Sequence, residues 1–293
     1  MRVQRDSYTE RCAQRDTCNV HRRQRGHRPV PGGVHKKRGA GVAKTLTERL
    51  IGAIYEERAD RVEKLLRTGA SPSAASADGE TPVYLAAVSG AADIVRLLLE
   101  AGASPDEESR GDGSQGLPLC AAACWGHSAA VRELLSHGAN PDLREDDGTG
   151  FTALLWAATG GHHETVQLLL EADADPDAGI RDRTPLMAAA EFGATGVVRS
   201  LLCHGADARR ADAQGRTALD LARAWCGKDV AAELRKQAMV GPDDTCEVSR
   251  STRPDGTELI VLSAGSSGSG GAYWEKGTGH AAIVDLLVEH LTH

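Results

Sequence analysis

The chain has 293 residues, 41% of them apolar and 26% charged, which is enough to bury a real core and sets it apart from wholly disordered sequences. Aromatic residues make up only 3%, so that core must be built from Ala, Leu and Val, and no apolar run reaches the roughly 18 residues of a membrane span. A formal charge of -7 argues against a body that binds nucleic acid, because it would repel the phosphates.

The charge is unevenly placed along the chain. Residues 1–44 hold twelve Lys or Arg against three acids, a net +9, which leaves -16 for the remainder. With Pro29, Pro31, Gly32, Gly33 and scarcely any periodic apolar residues, residues 1–45 are expected to form a disordered basic tail. An upstream start, with translation beginning near Val42, is the other reading of this composition. Cys12, Cys18, His21 and His27 match no zinc-finger spacing. Seven cysteines, an odd number without disulfide-framework spacing, point to a reducing, cytoplasmic setting, and the N-terminus lacks the apolar stretch of a secretory signal.

Residues 47–68, TERLIGAIYEERADRVEKLLRT, give two amphipathic helices. After them one phrase recurs five times: TPVYLAA from Thr81, LPLCAAA from Leu117, TALLWAA from Thr152, TPLMAAA from Thr184 and TALDLAR from Thr217, at spacings of 36, 35, 32 and 33 residues. The first four copies are followed by a second phrase: GAADIVRLLLEAGASP from Gly90, GHSAAVRELLSHGANP from Gly126, GHHETVQLLLEADADP from Gly161 and GATGVVRSLLCHGADA from Gly193. A period of 20–50 residues is the mark of a solenoid. Thr at the N-cap, Pro at the first helical position and a run of small residues start a short helix. The glycine ends it and lets the chain reverse. In the second helix, apolar residues at offsets of three and four, with Leu97, Leu98, Leu168 and Leu169 among them, form one face. One unit cannot cover that face, so its neighbours must, and stability becomes a sum of contacts between adjacent units.

The order Thr-Pro-Leu-x-x-Ala-Ala, Gly-His, Val-x-x-Leu-Leu, Gly-Ala-Asp closely resembles the ankyrin repeat across roughly residues 47–237. That resemblance implies an all-α repeat solenoid: stacked antiparallel helix pairs, a short β-hairpin finger per repeat, and a concave face of fingers and first helices. The domains expected are the tail, an ankyrin domain at 46–237 with an N-terminal cap repeat and about five more, an insertion at 238–278, and a capping helix at 279–293. The usual His of the first helix is replaced by Tyr84, Cys120, Leu155, Met187 and Asp220. Within the insertion, CEVSRSTRPDGTELIVLS reads as a β-hairpin turning at Arg253–Gly256, followed by the flexible tract AGSSGSGGA. A strand pair and loop would thus interrupt the last repeat, whose second helix closes the stack.

Neither catalytic nor metal-binding spacing emerges. His162-His163-Glu164 lacks the second His four residues on that a zinc-protease helix needs, and Cys120 and Cys124 have no partner pair. No cofactor and no enzymatic activity are expected. The slot before the helix-breaking glycine, which the resemblance places on the concave side, holds Trp125, Phe192 and Trp225, with Phe151 at a finger beside them. Two readings stand: interface anchors, or packing onto the next repeat. The links carry acids, among them Glu107, Glu108, Asp146 and Asp147, which either solvate a loop or steer a basic partner. The function expected is a monomeric, non-catalytic scaffold for an unidentified protein or peptide partner. The alternative is nucleic-acid or acidic-surface binding through the tail, which lacks the aromatics that would stack on bases.

Overall fold

The computed structural model describes residues 45–111, 114–145, 150–238, 246–253, 255–264 and 272–292. The expectations for the basic tail, for Asp146 and Asp147 and for most of the Gly/Ser tract lie outside the described residues. Helices α1 (Leu46–Tyr55) and α2 (Ala59–Arg67) open the stack. Thr45 caps α1 in a reciprocal box with Glu48: each backbone N–H donates to the other's side chain, at 3.1 and 2.7 Å.

Four further helix pairs follow: α3 (Pro82–Val88) with α4 (Ala92–Glu100), α5 (Pro118–Trp125) with α6 (Ser128–Ser136), α7 (Ala153–Thr159) with α8 (His163–Glu171), and α9 (Pro185–Phe192) with α10 (Thr195–Cys203). The recurring threonine does what its position demands at Thr152 and Thr184, whose side chains accept from the backbone N–H of Leu155 and Met187 at 3.2 Å. Thr81 makes no such bond and its hydroxyl is buried without a partner. Gly126 and Gly193 take left-handed backbone angles, φ 68° and 90°, to cap α5 and α9.

The Ala pairs of the first helices, Ala86 with Ala87, Ala122 with Ala123, Ala157 with Ala158 and Ala189 with Ala190, are wholly buried. Their lack of bulk lets successive first helices come into direct contact. The seam between repeats is filled by Leu98, Leu134, Leu169 and Leu201, each 0% exposed. Here the helical register is one step from the expectation: Leu97 and Leu168 only pack against the edge of the core, while Leu99 and Leu170 are buried. Fingers project between repeats. One forms a small antiparallel ladder, β1 (Ser109–Gly111) with β2 (Ser114–Gly116), and others close by single bridges such as Ile180 with Arg183.

The last repeat is split. Helix α11 (Ala218–Arg223) packs on α9 as a first helix should, but α12 (Val230–Gln237) does not pair with it. The helix that lies against both α10 and α11 is α13 (His280–Thr292), which buries Ile283 and Leu287 in the common core. Between α11 and α13 the chain builds a three-stranded antiparallel sheet, β3 (Cys246–Thr252), β4 (Glu258–Ala264) and β5 (Ala272–Gly277), in the order β3-β4-β5. The interruption therefore begins near residue 227 rather than 238, it includes α12, and a third strand joins the expected hairpin. Central strand β4 is buried on both faces: Ile260 and Leu262 pack on Leu234 of α12, and Leu259 and Val261 on the stack.

Candidate interaction surface

The finger side is ordered by a ladder of aspartates. Asp106 accepts from the backbone N–H of Asn140 at 3.2 Å, Asp142 from that of Asp175 at 3.0 Å, and Asp177 from that of Asp207 at 3.2 Å. Each carboxylate thus ties the base of one finger to the next repeat. Burial pushes the Asp106 carboxyl above its ordinary range, against the pull of the Asn140 amide. Arg144 adds a cross-link, donating to the carbonyls of Gly150 and Gly179 at 3.2 and 2.9 Å. Part of the acidity of the links is therefore structural. Glu145 is also internal, accepting from Trp156 Nε1 at 2.8 Å and from the Leu117 amide. Glu107 and Glu108 remain half-buried on the turn that holds Asp106.

The four aromatic candidates do not share one fate. Trp125, at the end of α5, is half-buried. Phe151 is only 3% exposed and packs on Trp156 with ring centres 4.6 Å apart. Phe192 and Trp225 are 9% and 8% exposed, covered by the insertion. The reading of Phe151, Phe192 and Trp225 as accessible anchors is corrected: side chains of this same chain already occupy their faces.

What covers them follows a repeated geometry. In the Gly-His phrase, His127 Nε2 bonds the carbonyl of Val88 at 3.1 Å and His162 Nε2 that of Cys124 at 3.0 Å, so each histidine closes the end of the preceding first helix. Burial lowers the His127 pKa, although the Val88 carbonyl pulls the other way. The neutral ring donates through Nε2–H. The next copy has Ala194 in place of histidine, which leaves the end of α7 open. Arg253, from the insertion's turn, fills it, donating from Nη1 to the carbonyls of Gly160 and Gly161 at 2.8 and 2.5 Å. Its guanidinium also pairs with Glu275 at 2.6 Å and lies 5.4 Å from the Phe192 ring centre. One repeat later the histidine returns as His280, which bonds the Glu191 carbonyl at 3.1 Å and stacks on Trp225 at 5.6 Å.

Trp225 carries a second cover. Lys276 of β5 is 7% exposed and holds its Nζ 3.7 Å over the indole. Burial pulls its pKa down to about 8, only partly countered by Glu191. For Glu191 burial acts upward, but the ion pair with Arg183 outweighs it and the carboxyl sits below its ordinary value. Arg183 belongs to a finger, so this side of α9 faces the groove, and Lys276 sits beside it. Sequence reasoning missed Arg253, Lys276, His280 and Glu191. Only His280 left a readable trace, as the Gly-His of GHAAIVDLLVEH.

His163 and Cys120 have structural partners. His163 Nε2 meets the Ser200 hydroxyl at 3.1 Å, with Asp255 4.0 Å from its other nitrogen. Cys120 is buried, its thiol 3.9 Å from the Phe151 carbonyl. Among the described residues no helix is long and apolar enough to cross a membrane.

Comparison with known proteins agrees with this architecture. Family models described as ankyrin repeats in three copies match residues 50–145 and 110–182, and one described as ankyrin repeats in many copies matches residues 169–222. The matched stretch ends inside α11, where the chain leaves the stack. Among solved structures, the human ASB11 ankyrin repeat domain is 30% identical over 68% of this chain and 84% of its own, with a TM-score of 0.53. The ankyrin repeat domain of Bcl-3, described as a unique member of the IkappaB protein family, is 30% identical over 65% of this chain and 90% of its own, with a TM-score of 0.53. The ankyrin repeat protein EF0377 is 26% identical over 62% and 93%, at 0.54. With its capped helix pairs, finger hairpins and carbonyl-bridging histidines, the chain belongs to the ankyrin repeat family.

Proposed function

We propose that the protein is a non-catalytic, cytoplasmic scaffold that holds a protein partner on the finger side of its first four repeats. One observation carries the reading: the aspartate ladder and Arg144 fix the fingers in a rigid row, and the first helix α5 that follows one of them ends in a half-buried tryptophan, Trp125. A preformed surface avoids the ordering cost that weakens flexible binders. Aromatic anchors supply a large share of interface energy. Glu107 and Glu108, next to that row, favour a partner segment bearing Lys or Arg and speed its encounter. Cys203, Cys226 and Cys246 are free thiols, in keeping with a reducing compartment.

The test is an affinity capture in which partners of the wild type are identified and then titrated against Trp125→Ala and against Glu107→Gln/Glu108→Gln. Loss of an anchor should weaken binding by about 2 kcal/mol, and the double glutamine variant should slow association at low salt. Wild-type affinity and rates in both variants, with unchanged melting temperatures, would sink the proposal.

A further inference from the structure

Strand β3 is an open edge seven residues long. Among the described residues it pairs only with β4, and it is exposed from Glu247 to Thr252. The phase of the ladder fixes which backbone groups it leaves free. The Arg253 N–H donates to the Thr257 carbonyl at 2.9 Å, and on the far side of β4 the Thr278 N–H donates to the Glu258 carbonyl at 3.0 Å. Residues of an antiparallel pair alternate between bonding across it and pointing away. With Thr252 opposite Glu258, the backbone groups of Ser251, Ser249 and Glu247 therefore face β4, and those of Thr252, Arg250, Val248 and Cys246 point outward. Such an edge is ordinarily blunted by Pro, Lys, a bulge or a covering element. This one runs in unbroken register and contains neither Pro nor Lys.

The side chains along the edge define what fits it. Val248 and Arg250 stand opposite Leu262 and Ile260, which pack on Leu234 of α12. A groove of about 610 Å³ runs between the start of α12 and β3. Its apolar wall is Val230, Ala231, Ile260 and the exposed Val248. Two exposed cations, Lys228 and Arg250, reach it. Of its two acids, Asp229 is engaged in capping α12, accepting from the amides of Ala231 and Ala232 at 3.0 and 3.3 Å. The other, Glu258, stands opposite Thr252 at the hairpin end.

We propose that β3 is a docking edge for an extended protein segment, which joins the sheet as a fourth, antiparallel strand. A carboxylate of that segment lies opposite Arg250, and a small apolar side chain lies opposite Val248. Backbone bonds supply the affinity and the groove reads alternate side chains. Glu247 lies on the other face of the strand and Glu258 at its end, so a carboxylate is favoured at the Arg250 position alone. The site does not involve the fingers and is independent of the scaffold reading.

The probe is the peptide acetyl-Thr-Val-Thr-Glu-Thr-Val-Thr-amide, titrated into the isotope-labelled full chain and followed by amide chemical shifts. The amides of Val248 and Arg250, which gain an acceptor, should move most, and those of Ser249 and Ser251, already directed at β4, least. Replacing the peptide's Glu by Lys should weaken binding about fivefold, and Arg250→Glu should reverse that preference. Methylating the backbone nitrogen of the peptide's Glu removes a donor that strand pairing needs and should weaken binding about tenfold. This last comparison uses the wild-type chain, so it stands whether or not Arg250→Glu folds. Absence of shifts in β3, shifts without the alternation, equal binding of the methylated peptide, or a charge preference indifferent to Arg250→Glu in a folded variant would each overturn the proposal. So would a mass that doubles with concentration in sedimentation equilibrium of the peptide-free chain and reverts in Val248→Pro, because the edge would then belong to a second copy.

Discussion

Replacing Lys276 by Met tests the packing of β5 on Trp225 directly. Lys276 is 7% exposed, with its ammonium 3.7 Å over the Trp225 ring, and its pKa falls from 10.5 to about 8 because burial penalises the charge. Between those values the unfolded chain binds the proton and the folded chain does not, so stability rises with pH across that window. Below pH 8 both states are protonated and the folded protein carries the full penalty. A gap of 2.5 units corresponds to about 3 kcal/mol. The attraction between the cation and the indole offsets about 1–2 kcal/mol of this, leaving a net effect of about 1–3 kcal/mol. Met keeps the unbranched apolar stem and never charges. The assay is urea unfolding of both proteins at intervals from pH 7 to 10.5, taking the difference at each pH so that other titrating groups cancel. Wild type should gain on Lys276→Met by about 1–3 kcal/mol over that range. A flat or falling difference would show that the ammonium is hydrated at its ordinary pKa, and that β5 does not close over Trp225.

The remaining expectations concern the stack itself. Leu169→Ala should cost about 2–5 kcal/mol by thermal or urea unfolding, whereas Leu168→Ala, at the edge of the core, should cost less than half as much; equal costs would contradict the observed helical register. Asp142→Ala removes the acceptor for the Asp175 amide and should cost about 1 kcal/mol, with faster hydrogen exchange at Asp175. Unchanged exchange there would show that the ladder does not hold the fingers.

The repeated helix pairs were legible because everything that makes them is local: a capping threonine, a run of small residues, a glycine able to turn left, and a leucine row. Copies in register reinforced each signal. Which helix completes the last repeat was harder to read, because Val230–Gln237 carries an Asp229 cap and an amphipathic pattern of its own. Nothing in those eight residues says what they pack against. The better clue was Gly279-His280, in the position of Gly126-His127 and Gly161-His162. The covering of Phe192 and Trp225 had no local signal at all. Arg253 reaches Gly160 across 93 positions of sequence, and only the folded sheet brings them together. The structural use of Asp106, Asp142 and Glu145 was hidden for a related reason: a carboxylate that accepts a neighbour's N–H looks, in sequence, like one that waits for a visitor.

Splitting the final repeat changes when that repeat can form. Ordinary solenoid units mature one after another as they are made, because each needs only what precedes it. Here α10 and α11 emerge early, yet the helix that covers their apolar flank, His280–Thr292, follows the end of α11 at Arg223 only after the whole insertion has been synthesised. The nascent chain therefore carries an uncovered leucine flank through the making of an entire sheet, a window in which chaperones or a second nascent chain have access to it. Transposing the coding segment of α13 to directly behind that of α11 would close that window.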